Sequence, residues 1–172
     1  MHINIRPAVF EDLAELKNIF ALIVQDMHRQ GIKIWNDFYP YEEFSYDLSD
    51  GFLYIIEKDC QIVGAFALCP DEIGGDSLQW EDSSAAALYF RRLGIRPDCS
   101  RQGIASFAVA EALKIAKNKG FSYVRLTVAE ENTPAVFLYQ KNNFMKAKGE
   151  FKEFSPSLNK TITEIGFEYK LR

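Results

Sequence analysis

The sequence lacks a basic excess. Its 172 residues carry 20 Lys and Arg against 24 Asp and Glu, a formal charge of −4. No run of Lys or Arg appears, so the basic stripe that nucleic-acid binders carry is missing, and no nucleic-acid partner is expected. Histidine is scarce, with only His2 and His28. Neither has a His or Cys at ligand spacing, so no metal is expected. The three cysteines, Cys60, Cys69 and Cys99, are widely separated and form no CxxC pair. Neither a zinc site nor a disulfide framework is indicated, and reduced thiols fit a cytoplasmic protein. Long hydrophobic runs are absent too. The longest, Ile19 to Val24 and Ala85 to Phe90, fall far short of the roughly 20 residues that span a bilayer. The opening residues to Pro7 show no basic-then-apolar leader pattern, so no membrane partner and a cytoplasmic location are the expectations.

What is present is an ordinary globular composition, 48% hydrophobic and 26% charged, with 14 Phe and 8 Tyr. The length predicts a single domain over 1–172. Ile3 to Arg6 alternates as a short strand. Leu13, Leu16, Phe20, Ile23 and Met27 recur at helical spacing, and Gly31 ends that helix. Val9 or Phe10 stands where a capping side chain would help its start. Trp35, Phe38, Tyr39 and Pro40 mark an aromatic loop, and Tyr41 to Asp50 a short acidic helix. Phe52–Glu57 and Gln61–Cys69 are strands joined by a tight turn at Lys58-Asp59-Cys60. Residues 70–84 read as loop and Ala85–Ile95 as a buried strand. Ser100–Lys119 is a helix ended by Gly120, Tyr123–Val128 an alternating strand, and Thr133–Lys141 a helix with Pro134 in its first turn. Phe144–Phe154 and Thr161–Leu171 close the chain as strands. The order is β-α-α-β-β-β-α-β-α-β-β. It predicts an α/β (α+β) fold with a mixed, mostly antiparallel sheet flanked by helices.

Two segments carry chemistry. In Leu93-Gly94-Ile95-Arg96-Pro97-Asp98-Cys99-Ser100-Arg101-Gln102-Gly103-Ile104-Ala105-Ser106, a strand runs into a loop and then a helix near Gly103. A helix N-terminus offers unpaired N–H groups and a positive dipole end, which suits phosphate. Gly103 lets a ligand approach the backbone, and Arg101 offers a cation. An ordinary strand-to-helix turn would explain the same residues equally well. There is no GxxxxGK[ST] and no GxGxxG after a strand, so neither common nucleotide loop applies. In Asn132-Thr133-Pro134-Ala135-Val136-Phe137-Leu138-Tyr139, Tyr139 follows Asn132 by about two helical turns. Its hydroxyl could protonate a leaving group, or its ring could simply serve the core.

Together the two segments resemble the GNAT superfamily of acetyl-CoA-dependent N-acetyltransferases. The strand–Pro–(Q/R)xxGx(G/A)–helix–strand–Asn-x-x-Ala-x-x-x-Tyr–Phe order spans about Tyr89 to Phe144, and the remaining elements agree in order. The resemblance implies an enzyme that moves an acetyl group from acetyl-CoA, its co-substrate, to a primary amine within a ternary complex. It implies that the backbones of Leu93 and Ile95 bind the pantetheine arm. The stretch Arg101, Gln102, Gly103, Ile104, Ala105 and Ser106 would hold the pyrophosphate. Asn132 would lie near the cofactor arm, and Tyr139 would protonate the departing thiolate. The chain departs from the pattern at Ser100, where Gln or Arg is usual, and at Asn143, where Gly is common before Phe144. The strand over Ala85–Arg92 also lacks the acid that many relatives use as a base. Glu81, Asp82, Glu130 and Glu131 remain as base candidates, each equally a solvated surface carboxylate. The acceptor, a small-molecule or protein amine, is expected near the aromatic loop. Trp35 and Tyr39 among nearby acids would suit a cationic amine. A catalytically silent acyl-CoA-binding regulatory or interaction domain is the alternative. An exposed sheet edge makes a homodimer a candidate assembly.

Overall fold

The computed structural model describes residues 2–172. It divides into two compact units, one formed by 2–69 with 91–108 and the other by 70–90 with 109–172.

In the first unit, β1 (Ile3–Pro7) pairs antiparallel with β2 (Leu53–Lys58), and β2 with β3 (Gln61–Cys69). Asp59 and Cys60 close the β2–β3 hairpin with φ of 50° and 66°, the left-handed pair that matches strand twist. The first helix, α1 (Asp12–Arg29), starts later than Val9 or Phe10 and has no side-chain cap; Asp12 in its first turn instead anchors the segment leading into it. Its carboxylate accepts the Val9 N–H at 2.8 Å and pairs with both terminal nitrogens of Arg6, at 2.7 and 2.8 Å. The same guanidinium reaches Glu57 through Nε at 2.7 Å, so it ties β1 to β2 as well. The acidic stretch after the aromatic loop is a single 3-10 turn at Tyr41–Glu43 followed by α2 (Phe44–Ser49). Leu16, Phe20, Phe44 and Ile55 are fully enclosed in this unit's core. A Cβ at Gly64 would fall 2.1 Å from the Gly94 carbonyl oxygen, and one at Gly94 would fall 2.6 Å from the Phe20 ring. Two glycines therefore let β3, the following strand and α1 close on one another.

That strand, β5 (Ala87–Ile95), is shared: residues 87–90 belong to the second unit and 91–95 to the first. In the second unit β5 pairs in parallel with β6 (Tyr123–Ala129). The strand β6 pairs antiparallel with β8 (Lys160–Lys170), and β8 with β7 (Met145–Ser155). The helices here are α3 (Ile104–Asn118), whose first turn lies in the first unit, and α4 (Thr133–Lys141). A short strand, β4 (Leu78–Gln79), lies inside the stretch expected to be loop. It forms because Gly149, at φ 86°, leaves room for the Ser77 carbonyl that a side chain would displace. Among the described residues the strand order is β1-β2-β3-β5-β6-β8-β7-β4, a mixed and mostly antiparallel eight-stranded sheet with four α-helices; the sequence predicts this architecture with seven of the strands, all but β4.

Candidate active site

The loop between β5 and α3 is built by a few local bonds. Arg96 donates its N–H to the Val63 carbonyl at 2.7 Å and pairs through its side chain with Asp98 at 2.7 Å. That guanidinium holds the Asp98 carboxyl below the usual carboxylate range. Pro97–Cys99 forms one 3-10 turn, and Cys99 is buried beneath it. Gln102 is committed to the scaffold: its oxygen accepts from Lys58 Nζ at 2.7 Å and its amide donates to the Asp98 carbonyl at 3.2 Å. Arg101 and Gly103 both turn left-handed, at φ 59° and 80°, so the helix starts at Ile104 and not at Ser100. The Phe107 N–H makes the first intrahelical bond, to the Gly103 carbonyl at 3.0 Å. The first N–H groups of the helix thus lie at its positive end. Arg101, Gln102 and Gly103 are exposed, and a Cβ at Gly103 would meet nothing within 4 Å. The space over this backbone is open, which fits a diphosphate laid against it.

Upstream, Arg92 sits mid-strand in β5 at φ 56°, a conformation costing a non-glycine residue about 1–2 kcal/mol. Its side chain explains how the kink is held. Nε and an NH2 nitrogen of Arg92 grip the Asp47 carboxylate of α2 at 2.9 and 2.5 Å, both partners being buried. Burial opposes the Arg92 charge, but the hydrogen bond and charge of Asp47, with a hydrogen bond to Tyr39 added, hold its pKa above the usual arginine value. Cys69 lies 3.7 Å from Asp47, and burial pushes its thiol up to about 11. The parallel ladder with β6 stops at Tyr89–Arg125, three residues before the kink. Leu93 and Ile95 follow the kink, both partly buried. The sequence showed no sign of the Asp47–Arg92 pair, whose members lie 45 residues apart.

Asn132 and Tyr139 belong to the second unit. Asn132 caps α4: its side-chain oxygen accepts the Ala135 N–H at 3.4 Å. Tyr139 is buried, its ring packed against Phe90, Phe144 and Phe167 at centroid distances of 5.8–6.4 Å. Burial raises its pKa, so the phenol stays protonated at any ordinary pH. Asn143 takes the left-handed turn at φ 64° in glycine's place. The loop thus belongs to the first unit and Tyr139 to the second.

Of the four carboxylates offered as base candidates, three have partners and one is simply exposed. Glu81 is fully exposed and hydrogen-bonded by Lys170 at 3.0 Å, which lowers its pKa. Asp82 is lowered by the Ser84 hydroxyl and N–H. Glu131 is paired with Lys160, and Glu130 is exposed. A different acid behaves otherwise. Glu164 on β8 is only partly exposed, and burial, with Glu153 as a like-charged neighbour, pushes its carboxyl up to about 7.

Trp35 stacks on the core of the first unit, its ring 6.0 Å from Phe20 and 6.4 Å from Tyr39, with Phe38 left exposed. His28 contacts the Trp35 carbonyl at 2.8 Å. Among the described residues no group of His, Cys, Asp and Glu is placed to hold a metal ion, and no helix is long and apolar enough to cross a membrane. A groove of about 870 Å³ in the second unit is lined by Trp80, Tyr169 and several lysines; it includes Glu81 and Asn143 but neither Asn132 nor Tyr139.

A mixed sheet whose parallel strands feed a left-handed loop and an open helix N-terminus defines an α/β protein suited to a phosphate-bearing ligand. The acetyltransferase (GNAT) family model matches residues 17–144, and the chain belongs to that family. No curated sequence matches it. Among solved structures it is similar to a GNAT-family acetyltransferase from Streptococcus agalactiae 2603, with a TM-score of 0.80 at 15% identity over 99% of this chain and 95% of that one. It is also similar to a GNAT-family acetyltransferase from Bacillus cereus ATCC 10987, with a TM-score of 0.71 at 15% identity over 100% and 99%. The ribosomal-protein-S18-alanine N-acetyltransferase from Escherichia coli gives a TM-score of 0.71 at 13% identity over 99% and 94%. These likenesses establish the fold.

Proposed function

We propose that the chain transfers an acetyl group from acetyl-CoA to a primary amine by direct attack within a ternary complex. The observation that carries this reading is the open, left-handed backbone at Gly103 ahead of α3. The backbone N–H groups from Arg101 to Ser106 bind the pyrophosphate, with Arg101 adding a cation. The β5 backbone at Leu93 and Ile95, past the end of the β6 ladder, takes the pantetheine arm. The amine nitrogen attacks the thioester carbonyl carbon, and the C–S bond breaks. Tyr139 gives its proton to the departing thiolate, a role supported by a buried phenol that keeps that proton until such a base arrives. Asn132 acts by fixing the start of the helix that carries Tyr139. Trp35 and Tyr39 belong to the acceptor side, where the E. coli relative's name makes an alanine-starting peptide one amine worth testing.

Calorimetry with acetyl-CoA, using Gly103→Asp as the control, tests the loop. Micromolar binding by the wild type and none by the variant is the expected result. A Gly103→Asp chain that binds as well as the wild type refutes the pyrophosphate assignment. Binding without transfer to an alanine-starting peptide, lysine or spermidine would make the chain a silent acyl-CoA-binding domain.

A further inference from the structure

Resting on that reading, we propose that Glu164 is the general base that takes the proton from the acceptor's ammonium group. Its placement carries the argument. Glu164 stands directly opposite Ala129, the last residue of β6, in the antiparallel β6–β8 ladder. Opposed residues in such a ladder project from the same sheet face. The ladder holds to the very end of β6: the Glu130 N–H still donates to the Thr163 carbonyl at 2.9 Å. The chain then turns, with the Asn132 N–H on the Ala129 carbonyl at 2.9 Å, into the helix that bears Tyr139. Glu164, on β8, thereby lies beside the carboxyl end of β6, where sheets with parallel β-α units bind their ligands, on the face opposite the one where Phe167 meets Tyr139.

The surroundings leave this carboxylate uncompensated. On β7, Phe151 stands opposite it, and Glu153, opposite Ile162, shares its face. On β6, Thr127 and Arg125 follow Ala129 along that face, but Arg125 is held by Glu168 at 3.3 Å and by the Asp82 carbonyl at 2.5 Å. Gly166, between Glu164 and Glu168, lies under Leu78 and Trp80. Among the described residues no cation and no hydrogen-bond donor meets Glu164, and its one charged influence is Glu153. A partly exposed carboxylate with no partner of its own is free to accept a proton. Its pKa of about 7 lets it do so from an ammonium and release the proton again at neutral pH.

The step balances. The ammonium gives one proton to a Glu164 carboxylate oxygen and becomes a neutral amine. The freed lone pair forms the C–N bond as the C–S bond breaks. The second proton leaves the amide nitrogen and replaces the one that Tyr139 gives the thiolate. Glu164 returns its proton to water.

The test compares ethylamine with trifluoroethylamine, which is already neutral at pH 7, as acceptors at varied pH. Wild-type kcat/KM for ethylamine is expected to fall on the acid side with a midpoint near pH 7. Glu164→Gln is expected to lose about 10²–10⁴-fold toward ethylamine, far less toward trifluoroethylamine, and nothing in acetyl-CoA affinity. Glu153→Gln, which leaves Glu164 in place, is expected to move the acid limb to lower pH. Equal losses toward both amines in Glu164→Gln, or none, overturn the base while leaving the transferase standing. So does an acid limb that Glu153→Gln leaves unmoved. A wild type that binds acetyl-CoA but acetylates neither amine overturns the transferase reading, and the base with it.

Discussion

Glu164 should make the protein less stable as the pH rises toward neutrality, and removing its charge should reverse this. A carboxyl raised from 4.5 to about 7 binds its proton more tightly in the native chain than in the unfolded one. Below pH 4.5 both states are protonated and the residue imposes no penalty. As the pH climbs from 4.5 through 7, the unfolded chain ionises first and the native state loses ground. Above 7 the loss is complete and constant. At about 1.4 kcal/mol per pH unit, the ceiling is roughly 3 kcal/mol. Partial exposure of the side chain brings the expectation down to about 1–3 kcal/mol. Glu164→Gln keeps the shape and cannot ionise. It should match the wild type near pH 4 and exceed it by about 1–3 kcal/mol at pH 8. Urea unfolding of both chains at the two pH values measures this directly. A difference that stays the same at both pH values would refute the reasoning, because a packing effect has no reason to titrate. The expected combination, greater stability with poorer transfer, is the trade that strained functional groups impose.

Three further outcomes follow from the same geometry. Tyr139→Phe should leave acetyl-CoA affinity unchanged and lower the transfer rate by about 10²–10⁴-fold, read by steady-state kinetics; a wild-type rate would remove Tyr139 from the chemistry. Asp47→Asn strands the Arg92 charge in a buried site, so unfolding midpoints should show a loss of about 3–5 kcal/mol. Replacing both members by apolar residues should recover much of that loss, which a double-mutant cycle would reveal. Gly64→Ala drives a methyl to 2.1 Å from a backbone oxygen that cannot rotate away, so a cost of about 3 kcal/mol or more is expected in the same assay.

The fold was largely readable because its signals are local. The spacing from Leu13 to Met27, the alternation from Tyr123 to Val128 and the punctuation by Gly31, Pro134 and Gly120 each mark an element without reference to the rest of the chain. The loop at Gly103 was readable for the same reason: a strand, a proline, a glycine and a helix lie within a few residues. The exceptions depend on distant partners. Strand β4 exists only because β7 offers Gly149 opposite it. The entry into α1 is held by Asp12, whose carboxylate takes the Val9 N–H and is set by Arg6 on another element.

Glu164 was hidden by a pattern that points the wrong way. Along β8, Thr163, Ile165, Phe167 and Tyr169 alternate with Ile162, Glu164, Gly166 and Glu168. With two acids and a glycine, the second set reads as the solvent face of a half-buried strand. The structure covers that face, since Leu78 and Trp80 lie over Gly166 and Glu168 is buried. Both acids therefore lose water, and they meet that loss differently. Glu168 is matched by Arg125, whose guanidinium also lies 5.0 Å from the Trp80 ring and 5.1 Å from that of Tyr123. Glu164 is matched by nothing, and Glu153 adds a like charge. Of the acids beside the motif, Glu130 is exposed and Glu131 is paired with Lys160. The acid with unusual chemistry is the one the fold desolvates without compensating, and that depends on tertiary cover and on which of two neighbouring glutamates receives the arginine.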